Sequence, residues 1–383
     1  MESNRPTRRQ FISTTAAALG LGLIASRSEQ AEADESRLSW WRSKTPPQIE
    51  ARHYMKLDEE NQVWCRLCFR KCIIKSGERG FCRNRENRGG ALYALTYGVP
   101  CSLQVDPIEK EPVYHFHPAS EIFCIAAAGC NLRCKFCQNY HISQKKVEET
   151  RNYRAPADTI PPLAKSKGCE GVSFTYSEPT AYYEYMYDVA KASKAAGLHV
   201  VCHTNGGMDP KPLHELLKHV DAVTVDLKSF SDKFYHPICT AELEVVQRTL
   251  VEIRKTPTHL EVVNLMITGL NDDVEDMKRM AGWIAKNLGT QTPLHINRFY
   301  PAYKMQNVPA TPVAHLERAH AAAVKEGLEY VYVGNVPGHK LNSTYCPKCG
   351  NFVIGRVHFQ VLQIQLKDGK CATCGHPIHG VWA

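Results

Sequence analysis

The sequence predicts an α/β chain: a parallel sheet buried on both faces, with helices between its strands and a small cysteine-rich module at each end. Three observations carry this. From about residue 121 to 335, short apolar runs alternate with amphipathic stretches, the pattern of parallel strands buried on both faces. Sixteen cysteines occur in 383 residues, and eleven fall into three tight groups whose spacings suit metal chelation better than a disulfide scaffold. Apolar residues make up 43% and charged residues 22%, a globular composition that excludes disorder throughout. The length allows one large domain with appendages, or two to three domains.

Residues 1–33 read as a twin-arginine signal peptide. Thr7-Arg8-Arg9-Gln10-Phe11-Ile12 carries the arginine pair, an apolar run follows from Phe11 to Ala25, and Ala31-Glu32-Ala33 offers a cleavage site. The run is too short, and too rich in Ala and Gly, to span a membrane, and no other stretch reaches spanning length. The expectation is a periplasmic protein exported folded; the alternative is a cytoplasmic protein that retains its leader. The formal charge is +8, and without the leader's four Arg and three Glu it is still +7. Residues 34–60 are polar with a Pro-Pro pair and read as a linker.

Residues 61–117 form the first cysteine module. Cys65, Cys68, Cys72 and Cys82 supply four thiolates within eighteen residues, with Gly77 and Gly80 between them. Four thiolates close a tetrahedral zinc site or hold a 4Fe–4S cluster, and the spacing alone does not choose. Arg66, Arg70, Lys71, Arg79, Arg83, Arg85 and Arg88 crowd this module. They form a solvated basic face, neutralise thiolates or dock an acidic partner.

The sheet domain spans 118–338. Its apolar runs are Glu121–Ala127, Gly171–Tyr176, Leu198–Thr204, Asp221–Leu227, His259–Ile267, Pro293–Phe299 and Leu328–Val333, with helical stretches such as Thr180–Ala196, Ala241–Lys255 and Asp273–Leu288 between them. Six or seven such units suit a partial or full β/α barrel, with doubly wound order as the alternative. Chemistry then belongs at the C-terminal ends of the strands. Cys130-Asn-Leu-Arg-Cys134-Lys-Phe-Cys137 follows the first run directly, after Gly129. This CxxxCxxC spacing wraps three thiolates around one corner of a 4Fe–4S cube and leaves the fourth iron open to a small molecule. Phe136 stands where it can shield the cluster from water.

These residues resemble the radical S-adenosylmethionine (SAM) superfamily, whose signature is CxxxCxxC with an aromatic residue before the last Cys. The resemblance implies a radical SAM-type partial (β/α)6 barrel and an enzyme that cleaves SAM reductively. The resulting 5′-deoxyadenosyl radical would abstract hydrogen from a substrate, with a protein among the candidates. It also implies SAM contacts at each strand end. Ser177 and Glu178 match the segment that binds the SAM amino group, with Tyr176-Ser177 where the pattern has two glycines. Thr204 and Asn205 match the ribose and carboxylate contacts, and Asp226 and Lys228 match the Asp-x-Lys of glycyl-radical activating enzymes. Asn264 to Thr268 would approach the adenine. Asp106-Pro-Ile-Glu-Lys-Glu-Pro-Val-Tyr-His-Phe116, Phe136-Cys-Gln-Asn139, Thr175-Tyr-Ser-Glu-Pro-Thr180 and His295-Ile-Asn-Arg-Phe-Tyr-Pro301 narrow the resemblance to the AmmeMemoRadiSam group. That group is related to pyruvate formate-lyase activating enzyme. A ferredoxin or flavodoxin as one-electron donor, and Memo-like or AMMECR-type partners, follow from the same likeness.

Residues 339–383 carry Cys346-Pro-Lys-Cys349-Gly350 and Cys371-Ala-Thr-Cys374-Gly375, the two knuckles of a zinc ribbon. It has no Lys/Arg run with interleaved aromatics, which weighs against nucleic acid as a partner and for a folding clasp or docking module. His295 and Arg298 are candidate substrate contacts, and His115, His117 and His203 have weaker claims. Of the scattered cysteines (Cys101, Cys124, Cys169, Cys202, Cys239), Cys101 stands out in its Pro-rich loop. Metal-bound thiolates would bring the net charge down to roughly +2, so part of the basicity offsets the chain's own metal sites. The competing reading is a non-catalytic iron–sulfur or zinc protein for electron transfer or scaffolding.

Overall fold

The computed structural model describes residues 39–40, 47, 49–58 and 60–382. The signal peptide expected at residues 1–33 lies outside the described residues. Each of the seven apolar runs becomes a strand. An edge strand β1 (Ser102–Pro107) precedes β2 (Glu121–Ala126), β3 (Gly171–Phe174), β4 (His199–Thr204), β5 (Ala222–Asp226), β6 (His259–Met266), β7 (Leu294–Arg298) and β8 (Val331–Gly334). Their order in the sheet is the order in the chain. β2 to β8 are all parallel, and β1 pairs antiparallel with β2. The absence of any reversal removes the doubly wound alternative. Seven parallel strands replace the six expected, and β1 and β8 are not hydrogen-bonded to each other. β1 was expected inside the first cysteine module. Its Ser, Gln, Asp and Pro content hides a strand that has one half-exposed face.

Six helices cover the sheet: α1 (Ile160–Ser166), α2 (Tyr183–Ala195), α3 (Pro210–Leu217), α4 (Leu243–Arg254), α5 (Val274–Asn287) and α6 (Val313–Lys325). Their apolar spacing dictates the buried face. In α4, for example, Val245, Val246, Thr249, Leu250 and Ile253 are buried, one stripe of an amphipathic helix. Asp273 starts α5 by accepting a hydrogen bond from Glu275 N at 2.9 Å. Among the described residues, no helix is long and apolar enough to cross a membrane.

The linker expected at 34–60 is corrected where it is described. Ile49–Glu50 pairs with Ala91–Ala94, and Tyr54–Lys56 pairs with Val63–Cys65, so this stretch belongs to the first cysteine module. Its outward charges made it read as a linker.

The C-terminal module folds Thr344–Tyr345, Phe352–Val357 and Gln360–Ile364 into an antiparallel sheet. It packs against the segment after β1 and against β8. Arg356 lies 4.1 Å over the Tyr114 ring and donates to the Tyr114 carbonyl at 2.8 Å, and Thr344 meets the Tyr332 hydroxyl at 2.9 Å. Beneath it lies a buried carboxylate. Glu261 on β6 accepts from Tyr114 N and His115 N, both at 2.8 Å, from His259 at 2.9 Å and from His295 at 2.6 Å. Burial alone would raise its pKa, but the two imidazoles hold it well below the usual carboxylate range.

Candidate active site

A cavity of about 530 Å³ opens at the C-terminal ends of the strands, within the usual range for small-molecule sites. Cys130, Cys134 and Cys137 line it together with Phe136 and with Ser177, Glu178, Thr204, Asn205, Asp226 and Lys228. The sequence separates these residues by almost a hundred positions. The parallel sheet brings them together because each sits at or soon after the end of a strand.

The cysteine loop is tightly fixed. Gly129 takes φ +103°, and a Cβ there would lie 2.5 Å from Asn84 Nδ2 and 2.7 Å from the Cys82 carbonyl, so only glycine fits. Arg133 N and Lys135 N donate to the carbonyls of Cys239 and Ile238 at 3.1 and 3.0 Å. Cys130 Sγ accepts from Leu132 N at 3.3 Å and Asn205 Nδ2 at 3.7 Å, and Cys137 Sγ meets Ser143 Oγ at 3.2 Å. Hydrogen bonds of this kind to ligand sulfurs tune a cluster. Soft thiolates in one cavity, with room beside them for a small molecule, are the donor set that an iron–sulfur cluster and SAM require.

Glu178 is 3% exposed. Its Oε1 accepts from Thr180 N, Thr180 Oγ1 and Thr204 Oγ1 at 3.0, 2.5 and 2.8 Å, and its Oε2 accepts from Asn205 N at 2.9 Å. Burial raises its pKa, and neutral donors only partly oppose this. Its Oε2, with one donor, keeps room for another. Ser177 differs from expectation in what it does. Its hydroxyl donates to the Ala127 carbonyl at 2.6 Å, so it fixes the turn while lining the cavity.

Tyr176 takes φ +62°, the region glycine favours, at the position where the family pattern has glycine. A strained residue of this kind costs of order 1–3 kcal/mol. Asn139 Nδ2 holds its carbonyl at 2.9 Å, and its hydroxyl donates to Asp106. Glu111 lines the cavity, and Asp106 supports Tyr176 in its wall; residue-by-residue reasoning missed both. The Asp106–Phe116 motif was the available signal, but it carried no assigned role.

Asp226 and Lys228 pair at 2.7 Å, and His203 Nε2 meets the other Asp226 oxygen at 3.2 Å. Burial works against the Asp226 charge, yet Lys228 and His203 together hold its pKa well below the usual range. Burial also opposes charge on His203, but Asp226 and Glu111 outweigh it and raise its pKa. Of the three weaker histidines, His203 lines the cavity. His115 is buried against Tyr332 and the His379 carbonyl, and His117 stacks on His199.

Three expectations are corrected. His295 is a core histidine bonded to Glu261. Arg298 donates to the Thr311 carbonyl at 2.7 Å and the Tyr300 hydroxyl at 3.1 Å, and its neighbour Asn297 lines the cavity instead. On β6 the cavity is lined by Val263 and Leu265, while Asn264 donates to the Leu227 carbonyl at 2.9 Å. The two-residue period of a strand places these on opposite faces. Cys101 lines neither this cavity nor the quartet's, and burial pushes its thiol up to about 12.

The ribbon cysteines form a compact group, with all four sulfurs within 4.8 Å of one another. Cys346 and Cys374 lie 3.6 Å apart, and Cys349 and Cys371 3.8 Å apart. Sulfurs bonded at about 2.3 Å to one tetrahedral ion lie roughly 3.8 Å apart, so this site can hold a metal ion. The hairpin between its longer strands places Phe359, at its tip, in the wall of the cavity.

The Radical SAM superfamily model matches residues 125–284. An uncharacterized protein of Methanocaldococcus jannaschii is 44% identical over 86% of this chain and 98% of its own length. The pyruvate formate-lyase-activating enzyme of Clostridium pasteurianum is 25% identical over 42% of this chain and 67% of its own. Among solved structures, Streptococcus suis SuiB bound to S-adenosylmethionine aligns with a TM-score of 0.46 at 14% identity, covering 60% of this chain and 53% of that one. The three-cysteine loop sits inside the matched segment, and the chain belongs to the radical SAM superfamily, as an enzyme of that type related to pyruvate formate-lyase-activating enzyme.

Proposed function

We propose that the chain binds an open-site 4Fe–4S cluster through Cys130, Cys134 and Cys137, and SAM across the neighbouring strand ends. When bound, this pair supplies one-electron cleavage of the SAM sulfonium and a 5′-deoxyadenosyl radical for hydrogen abstraction. The observation that carries the reading is one cavity lined by the three thiols, Glu178, Asn205 and Lys228. The Glu178 carboxylate, buried among neutral donors, would hold the SAM amino group. Asn205 ties the Cys130 sulfur to the same strand end, and the Asp226–Lys228–His203 group lies across the cavity as a charged wall for the SAM carboxylate or the substrate. Phe136, with Lys228 5.7 Å over its ring, would screen the cluster from water.

The substrate reading is a protein, a peptide or a small molecule, with Memo-like or AMMECR-type proteins of the AmmeMemoRadiSam kind as partners. A ferredoxin- or flavodoxin-type protein would deliver the electron, zinc would fill the ribbon site, and Tat export would place the folded protein in the periplasm. Anaerobic reconstitution with SAM and dithionite tests the core of this reading. Release of 5′-deoxyadenosine and methionine is expected. A redox-active protein that leaves SAM intact would instead make the chain a carrier or scaffold.

A further inference from the structure

The N-terminal quartet and the ribbon quartet have the same ligands but different geometry. The ribbon sulfurs meet the spacing of a single ion. Among the described residues, no three of Cys65, Cys68, Cys72 and Cys82 lie within 4.8 Å of one another, so they do not close around one ion. Instead they line a cavity of their own. Its walls include Arg85 and Asn131, which are 2% and 1% exposed, and each has a buried donor without a partner: Arg85 Nε and Asn131 Nδ2. Around a single ion such donors have only the four cysteine sulfurs to bond. A cubane offers inorganic sulfides, which accept hydrogen bonds. Arg85 is anchored by Glu184 at 3.0 and 2.9 Å, so its position does not depend on an occupant.

The quartet is also built onto the SAM site. Asn131, in the wall of the quartet cavity, follows Cys130 directly and accepts from Asn205 at 2.8 Å. The Cys82 carbonyl lies against Gly129. Cys68 bridges Met208, and Phe69 N donates to the Gly207 carbonyl at 3.1 Å, in the loop after β4. Between the two cysteine groups the Phe81 ring is covered by Arg70 and Arg133, each 3.9 Å from its centre. Arg70 donates to the Asn131 carbonyl at 2.9 Å, and Arg133 to the Cys130 carbonyl at 2.9 Å.

We propose that Cys65, Cys68, Cys72 and Cys82 hold a second 4Fe–4S cluster, which passes single electrons to the three-thiolate cluster through this shared wall. The second cluster takes one electron from a low-potential donor of the ferredoxin or flavodoxin class, going from the 2+ to the 1+ state. It returns to 2+ as the electron moves on. The site stands independently of SAM chemistry; the electron path rests on the function proposed above.

The test is metal content in the full chain with Cys130, Cys134 and Cys137 all changed to Ala. About four iron and four sulfide per chain are expected beside the ribbon metal, with a dithionite-dependent electron-spin signal. Adding Cys68→Ala should remove the iron and leave the ribbon metal. An iron-free triple variant, whether or not a second zinc replaces the iron, would overturn the proposal. Should that variant not fold, wild type decides: about eight iron per chain supports the proposal, and about four overturns it. In reduced wild type the two signals should broaden each other. Simple addition of the two single-cluster spectra would overturn the electron path. Because these readouts do not need SAM, failure of SAM cleavage leaves the test of the site intact.

Discussion

Two buried glutamates divide the sheet domain into a half that lines the cavity and a half that does not. Glu178, past the end of β3, and Glu261, three residues into β6, are 3% and 0% exposed, and each accepts four hydrogen bonds, three on one oxygen and one on the other. The difference is charge. Two imidazoles face Glu261, and its pKa is lowered; only amides and hydroxyls face Glu178, and burial raises its pKa. One carboxylate is complete as built. The other lacks a cation, and it lines the cavity where the SAM ammonium is proposed to sit. A buried carboxylate without a counter-charge marks a ligand site better than its hydrogen-bond count does.

The sharpest way to break this contrast is to remove each carboxylate in turn. Glu261→Gln should cost about 3 kcal/mol of unfolding free energy, because it turns an amide NH2 toward His295 and removes the charge that both imidazoles face. Denaturant unfolding would show the loss, and SAM affinity measured calorimetrically should not move. Glu178→Gln should weaken SAM binding about thirtyfold, equivalent to about 2 kcal/mol. Its stability loss should be smaller than that of Glu261→Gln. Equal effects of the two variants on SAM affinity would erase the distinction.

The pH dependence should separate the pair with opposite signs. The Glu261 pKa is depressed on folding, so its stabilisation is complete above the ordinary carboxylate pKa and is lost as pH falls through the folded value. The Glu178 pKa is raised on folding, so without SAM stability should decline as pH climbs from the ordinary value through the folded one. Saturating SAM should flatten the Glu178 slope and leave the Glu261 slope unchanged. The smallest effect expected is from Phe359→Ala at the ribbon tip. It should change substrate turnover by a fewfold, leave SAM binding intact and shift stability by under about 1 kcal/mol.

Much of this layout was legible in the sequence. All seven apolar runs became parallel strands, because strands buried on both faces have to be apolar along their length. The resemblance singled out Ser177, Glu178, Thr204, Asn205, Asp226 and Lys228, and they share one cavity because a parallel sheet collects strand ends on one side. Three things were hidden, each for a physical reason. β1 is half-exposed and polar, so it resembled a loop. His295 sits at a strand's buried start, and no pattern in its own segment reveals that Glu261 is its partner. Tyr176 is held at positive φ with the help of Asp106 and Asn139, contacts from 70 and 37 residues away.

The most direct test compares wild type and Glu178→Gln, both reconstituted anaerobically with iron and sulfide, for 5′-deoxyadenosine release across a range of SAM concentrations with dithionite. Wild type should release it, and the variant should need about thirtyfold more SAM to reach half its own maximal rate. No release from wild type at any SAM concentration, or identical SAM dependence in the two proteins, would contradict the account.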